Sequence, residues 1–258
     1  MNNAAGLEYE ETGHGAPIIC LHGIGGNTSS FAPQLSGLPG HRVIAVNLPG
    51  YGGSEAVEHP TFPKLAARIT AFMDALDLSA AHLCGQSIGG MIALEAACLY
   101  PDRVTSLALI GTTSAFGGRD DSFKNAFIAA RLKPLDAGET LATLAPQFVP
   151  DITGPDVTPA ARESAVASMA AVPEATYRSI IRCLVTFNRR EDISGLAKPI
   201  CLIAGEHDTN APAKTMARMA EKMPNAEYHL VKGAGHLINL EKGAETNAIL
   251  NTFYEGLP

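Results

Sequence analysis

The chain has 258 residues, 46% of them hydrophobic and 17% charged, which is enough apolar material for a large buried core and too little charge for a disordered chain. The net charge of −7, from 19 basic and 26 acidic side chains, argues against nucleic acid as a partner. No stretch reaches the ~20 apolar residues of a membrane span, and residues 1–15 lack the basic-then-apolar order of a secretion signal, so no membrane partner and a cytoplasmic setting are expected.

Strand-like and helix-like runs alternate along the chain. A short strand is expected around Leu7–Glu11, antiparallel to a neighbour, followed by a strand at Pro17–Leu21. A helix at Thr28–Leu35 leads to a strand at Arg42–Val46, and a helix at Phe62–Leu76 leads to a strand at Ala81–Cys84. A helix at Ile88–Tyr100 and a strand at Val104–Ile110 follow. Late in the chain come a strand at Pro199–Ala204, a helix at Ala213–Met223, a strand at Glu227–Val231 and a helix at Ala244–Tyr254. Continuous apolar strands joined by helices predict an α/β protein with a mainly parallel sheet covered on both faces.

Residues 113–197 break this rhythm. They show helical patches, no buried strand, and prolines at 134, 146, 150, 155, 159 and 173 that are expected to cut the region into short pieces. The reading is an inserted helical cap at 113–197 in a core domain built from 1–112 and 198–258. Cys20, Cys84, Cys98, Cys183 and Cys201 are odd in number and match no metal or disulfide spacing, so buried free thiols in a reducing compartment are expected. The histidines at 14, 41, 59, 82, 207 and 229 are scattered, so no metal is inferred.

The run Cys84-Gly85-Gln86-Ser87-Ile88-Gly89-Gly90 is G-x-S-x-G between a strand and a helix. Such a turn strains the serine backbone and lifts its hydroxyl above the sheet, and it needs glycines because two backbones pass closely. Ser87 is therefore the candidate nucleophile. An activated serine needs a base, a group to orient that base, and donors for an oxyanion. The loop Gly233-Ala234-Gly235-His236 offers the base, and Gly205-Glu206-His207-Asp208 offers the orienting acid, with Asp208 preferred over Glu206. Residues 111–118 hold no carboxylate, so an acid after the earlier strand is closed off. The oxyanion amides are expected from Ile88 and from Ile24, with Gly25 as runner-up. His22 is read as shaping its loop, and Pro49-Gly50-Tyr51-Gly52-Gly53-Ser54 as a tight turn lacking the spacing of a phosphate-binding loop.

These residues carry a resemblance. His22-Gly23, NLPGYGGS at 47–54, GQSIGG at 85–90, YPDRVTSLALIG at 100–111, AGEHD at 204–208 and GAGHLINLE at 233–241 together resemble the α/β-hydrolases over nearly the whole chain. The resemblance implies the α/β-hydrolase fold, a mostly parallel eight-stranded sheet flanked by helices, no cofactor, and a helical cap over the active site. Within that superfamily the chain is similar to the 3-oxoadipate enol-lactonase-like branch of serine hydrolases, through FIAARLKPLDAG at 127–138 and PEATYRSIIRCLVTFNRRED at 173–192. By that likeness Arg131 would meet a substrate carboxylate. The branch that cleaves carbon–carbon bonds has Asn before the nucleophile and Trp after the histidine, where this chain has Gln86 and Leu237 and no Trp. The function expected is a serine hydrolase of a small-molecule carboxylic ester or enol-lactone. Alternatives are a carbon–carbon bond hydrolase of a ring-fission diketone or a small-molecule receptor on the same fold.

Overall fold

The computed structural model describes residues 1–117 and 121–257; residues 118–120, inside the segment assigned to the cap and beginning with the last residue of the carboxylate-free loop, and Pro258 lie outside the described residues. Eight strands form one sheet: β1 (Asn2–Ala4), β2 (Leu7–Thr12), β3 (Ala16–Leu21), β4 (His41–Val46), β5 (Ala81–Gln86), β6 (Val104–Ile110), β7 (Ile200–Gly205) and β8 (Ala226–Val231). Their order across the sheet is β1-β2-β4-β3-β5-β6-β7-β8. β1 and β2 pair antiparallel, β2 pairs antiparallel with β4, and every later pairing is parallel. The chain moves outward from β3 to β4 and then crosses back to β5. Such a reversal opens a crevice at the carboxyl ends of the strands. The loops after β3, β5, β7 and β8 all leave from that end.

Helices cover both faces. Phe62–Ala75 (α2, after α1 at Ala32–Gly37) and Ile88–Leu99 (α3) pack one face through Phe62, Leu65, Ile69, Phe72 and Ile92. Gly243–Tyr254 (α10) packs the other through Leu250, Phe253 and Tyr254. Each large apolar side chain buried this way contributes about 1.5–3 kcal/mol relative to exposure. Between β6 and β7 lie Asp121–Asp136 (α4), Leu141–Ile152 (α5), Pro159–Ala170 (α6) and Glu174–Leu184 (α7). The ends of this segment are zipped together: Ala115 bridges Asn188, Phe116 N donates to Phe187 O at 2.9 Å, and Arg189 N donates to Ser114 O at 2.7 Å. The segment reaches over the crevice, where Thr176 Oγ1 donates to Gly50 O at 2.9 Å. No helix among the described residues is long and apolar enough to cross a membrane.

Several expectations need correction. The helix expected over Thr28–Leu35 is a 3-10 turn at Thr28–Phe31 followed by α1, because Pro33 restarts the helix near its first turn. Pro134 lies inside α4, and Pro146 and Pro150 lie inside α5, so these prolines do not cut their helices. The two in α5 are four residues apart, so the amide missing at Pro150 would have bonded the carbonyl of Pro146, and the breaks coincide along one side of the helix. Ala213–Ala220 (α8) is shorter than expected. β8 is an edge strand with one fully buried residue, Val231, rather than a strand covered on both faces. The N-terminal β1 has no apolar signal and was not expected as a strand.

α3 is buried almost all round, and Glu95 sits in it at 3% exposure. Arg189 meets Glu95 through two bonds of 2.7 and 2.8 Å, which hold the guanidinium above its ordinary value and pin the end of the inserted segment to the core. Removing one partner of such a pair strands the other charge. Arg189→Ala should therefore lower unfolding free energy in urea by about 3–5 kcal/mol, while Glu95→Leu with Arg189→Met recovers most of the loss.

Candidate active site

Ser87 stands between β5 and α3 at φ 55°, ψ −122°. A non-glycine residue in this region costs about 1–3 kcal/mol and persists only where its surroundings hold it. Here Ser87 N donates to Ile110 O at 2.9 Å, and Thr112 Oγ1 donates to Ser87 O at 2.7 Å. A Cβ on Gly85 would overlap the Gly89–Gly90 peptide, and one on Gly89 would overlap the Leu21 carbonyl, so both glycines are required by close approach.

The structure brings three of the expected residues together. His236 Nε2 lies 3.0 Å from Ser87 Oγ, and His236 Nδ1 lies 2.8 Å from Asp208 Oδ2. The carboxylate accepts, so Nδ1 carries the proton and Nε2 is free to accept from the serine hydroxyl. Asp208 Oδ1 takes the amides of Asn210 and Ala211 at 2.8 and 2.9 Å. Burial alone would raise this carboxyl; the electrostatic attraction and ring hydrogen bond of His236, with the two amides, outweigh it and hold Asp208 below its ordinary value. Glu206, the rival acid, turns away and accepts from Gly233 N at 2.9 Å.

The loop after β3 runs beside this chain. Ile24 and Ile88, the expected oxyanion donors, have amides with no acceptor among the described residues; the same holds for Gly25, whereas Gly26 N is taken by Gly23 O at 3.0 Å. His22 shapes the loop as expected. Leu48 N donates to its Nε2 at 3.0 Å, so Nδ1 carries the proton and donates to Gly23 O at 2.7 Å. The tight turn after β4 does more than reverse the chain: Tyr51 stacks edge-on to His22 and donates its hydroxyl to Ile24 O at 2.9 Å. Sequence alone did not mark Tyr51, because its role depends on two loops meeting.

A small cavity of about 50 Å³ adjoins the site, lined by Ile24, Val149, Ile152, Met169, His236 and Leu240. A larger one of about 240 Å³, near Glu8, Glu10 and Asn47, is lined by neither Ser87 nor His236. Arg131, on α4, lies over the Phe127 ring at 3.5 Å and beside Tyr177; burial lowers its guanidinium, and no carboxylate among the described residues pairs with it. Strand pairing brings Cys201, Glu227 and His229 within 4.8 Å of one another at the β8 edge, a grouping that the histidine spacing did not suggest. His229 and Glu227 pair at 3.0 Å, and burial together with Glu227 pushes the Cys201 thiol well up, so the three groups satisfy one another.

The family model described as alpha/beta hydrolase fold matches residues 16–243. A dihydrolipoyllysine-residue acetyltransferase component of the acetoin cleaving system from Pseudomonas putida is 29% identical over 93% of this chain, which spans 63% of that protein's length. The enol-lactonase from Burkholderia xenovorans LB400 superposes with a TM-score of 0.85 at 24% identity, over 96% of each chain. A bromoperoxidase from Bacillus anthracis superposes with a TM-score of 0.88 at 21% identity, over 96% of this chain and 95% of that one. The structural likenesses establish a shared fold.

Burial lowers His22 from 6.5 to about 4, partly opposed by the Gly23 carbonyl. The unfolded chain takes up this proton near pH 6.5 and the folded chain only near 4, so the stabilisation is full above 6.5 and is lost as pH falls towards 4. Between pH 7 and pH 4.5 the protein should lose about 2–3 kcal/mol more than a His22→Gln variant does, measured by urea unfolding at each pH.

Proposed function

This chain belongs to the α/β-hydrolase fold family, and from that premise we propose that it is a serine hydrolase cleaving a small carboxylic ester or enol-lactone through an acyl-enzyme. The observation that supports this reading is the hydrogen-bonded run Ser87–His236–Asp208 at a strained strand-to-helix turn. In this reading Ser87 Oγ attacks the carbonyl carbon while His236 Nε2 takes its proton, and Asp208 fixes the tautomer and stabilises the imidazolium. Charge developing on the carbonyl oxygen meets the unclaimed amides of Ile24 and Ile88, the latter at the positive end of α3. His236 then protonates the leaving oxygen and activates the water that releases the acid. Each preorganised oxyanion donor is worth about 10²–10³-fold in turnover.

The helices of residues 113–197 act as the cap in this reading and bound the acyl and leaving-group pockets. Arg131 is proposed to meet a carboxylate carried by the substrate, which suits a partly buried guanidinium with no acidic partner among the described residues.

Two measurements test the proposal. A fluorophosphonate should add once, on Ser87 by peptide mapping, and not to His236→Ala. On activated short-chain esters and enol-lactones Ser87→Ala should be inactive and Asp208→Asn about 10⁴-fold slower, whereas Glu206→Gln should stay within about threefold because its carboxylate serves Gly233. Wild-type turnover by Ser87→Ala would overturn the mechanism, and bleaching of ring-fission dienoates without ester cleavage would overturn the substrate class. Arg131→Met should raise KM about tenfold or more for esters bearing a free carboxylate and leave neutral esters within about twofold.

A further inference from the structure

Glu241 is a carboxylate that the hydrolytic steps do not use. It ends the short helix Ile238–Glu241 (α9) and is 6% exposed. Three backbone amides converge on it. Leu237 N donates to Oε1 at 2.9 Å, and Gly235 N and Gly154 N donate to Oε2 at 3.0 and 2.6 Å. Gly235 and Leu237 flank His236, while Gly154 belongs to the inserted segment just beyond α5. The two backbones touch directly there: His236 N donates to Ile152 O at 2.7 Å, and a Cβ on Gly154 would overlap the Gly233 carbonyl. From the opposite side Gln86 Nε2 donates to His236 O at 2.9 Å. The histidine backbone is thus held by the residue before the nucleophile, by the end of α5, and on both flanks by Glu241.

An ionised carboxylate is an acceptor at both oxygens and can serve all three amides. A carboxamide of the same shape has one acceptor oxygen and turns an NH2 against at least one N–H. The exposed Lys242–Asp156 pair at 3.2 Å spans the same junction but is worth little. We propose that Glu241 is a positioning residue for His236, clamping the amides on both sides of it together with Gly154, so that the reach of the imidazole to Ser87 depends on how the inserted segment is seated. The inference rests on the hydrolytic reading for its kinetic consequence, though not for the geometry it asserts. A displacement of about 1 Å at such a base costs about a hundredfold in rate.

The test uses Glu241→Gln and the wild-type protein. With an activated short-chain ester, Glu241→Gln should lose about a hundredfold in kcat with KM within about twofold, and Ser87 labelling by a fluorophosphonate should slow by the same factor. The low-field proton resonance of His236 Nδ1–H should be lost in the variant. In the wild-type protein the amides of Gly154, Gly235 and Leu237 should exchange with solvent at a common slow rate, because one carboxylate holds all three. Retention of both kcat and the low-field resonance in Glu241→Gln would overturn the proposal. So would exchange of Gly154 independent of the other two, a result that also decides the matter if the variant does not fold. Absence of labelling at Ser87 in the wild type would overturn the hydrolytic reading alone, leaving the resonance and exchange data to judge Glu241.

Discussion

The backbones of β5 and α3 approach so closely at Gly85 and Gly89 that the residue between them has one conformation open to it, and Ser87 takes it at φ 55°. The strain this stores is balanced by the bonds to Ile110 and Thr112 and by the packing of an almost wholly buried helix. The same turn lifts the hydroxyl out of the sheet and leaves the Ile88 amide free at the helix start. One steric constraint therefore presents both the hydroxyl proposed as nucleophile and the amide proposed as an oxyanion donor. Parallel strand order then sets the loops after β3, β7 and β8 at the same end of the sheet.

The histidine is held differently. Its side chain answers to Asp208 on the core, but its backbone answers to residues of the inserted segment as well. Ile152 and Gly154 are as much part of the histidine loop as Gly235 is. A segment gripped in this way cannot swing open as a free lid without disturbing the imidazole beneath it. The short ribbon at residues 114–116 and 187–189 ties the two ends of the segment together, and the ion pair between Arg189 and Glu95 fixes them to the core. Its two anchors lie at different places on the sheet, and the helices span the crevice between them.

Much of this was legible in the sequence because buried parallel strands and close turns leave strong local marks. The apolar runs gave six of the strands, from Pro17 to Val231, and the glycines around Ser87 gave the elbow. The loops at 205–208 and 233–236 offered the acid and the base that the fold brings to Ser87. The misses have physical causes. Asn2–Ala4 forms a strand through pairing alone, with no apolar face to mark it. Prolines in α5 are tolerated because their lost hydrogen bonds fall on the same side of the helix. Glu241 entered only as the last residue of the segment GAGHLINLE, and Tyr51 only as one residue of a tight turn. Each acts on a segment more than twenty residues away in sequence, as Glu241 does on Gly154 and Tyr51 on Ile24.

By itself the sequence determined the fold class and marked Ser87 at its turn, His236 in its glycine-flanked loop, and two rival carboxylates, Glu206 and Asp208. Those features depend on local backbone chemistry: glycine where no Cβ fits, apolar residues where both faces are covered, and titratable side chains at strand ends. Tertiary structure alone decided which acid turns towards His236, which amides remain unclaimed, and which residues hold the histidine loop in place. These are questions of direction and distance between segments far apart in the chain, and no periodicity or spacing encodes them. The choice between Asp208 and Glu206 shows the division plainly. Two carboxylates stand two residues apart in one loop, and only the closure of that loop against Gly111 and His236 sets one against the imidazole and the other against Gly233.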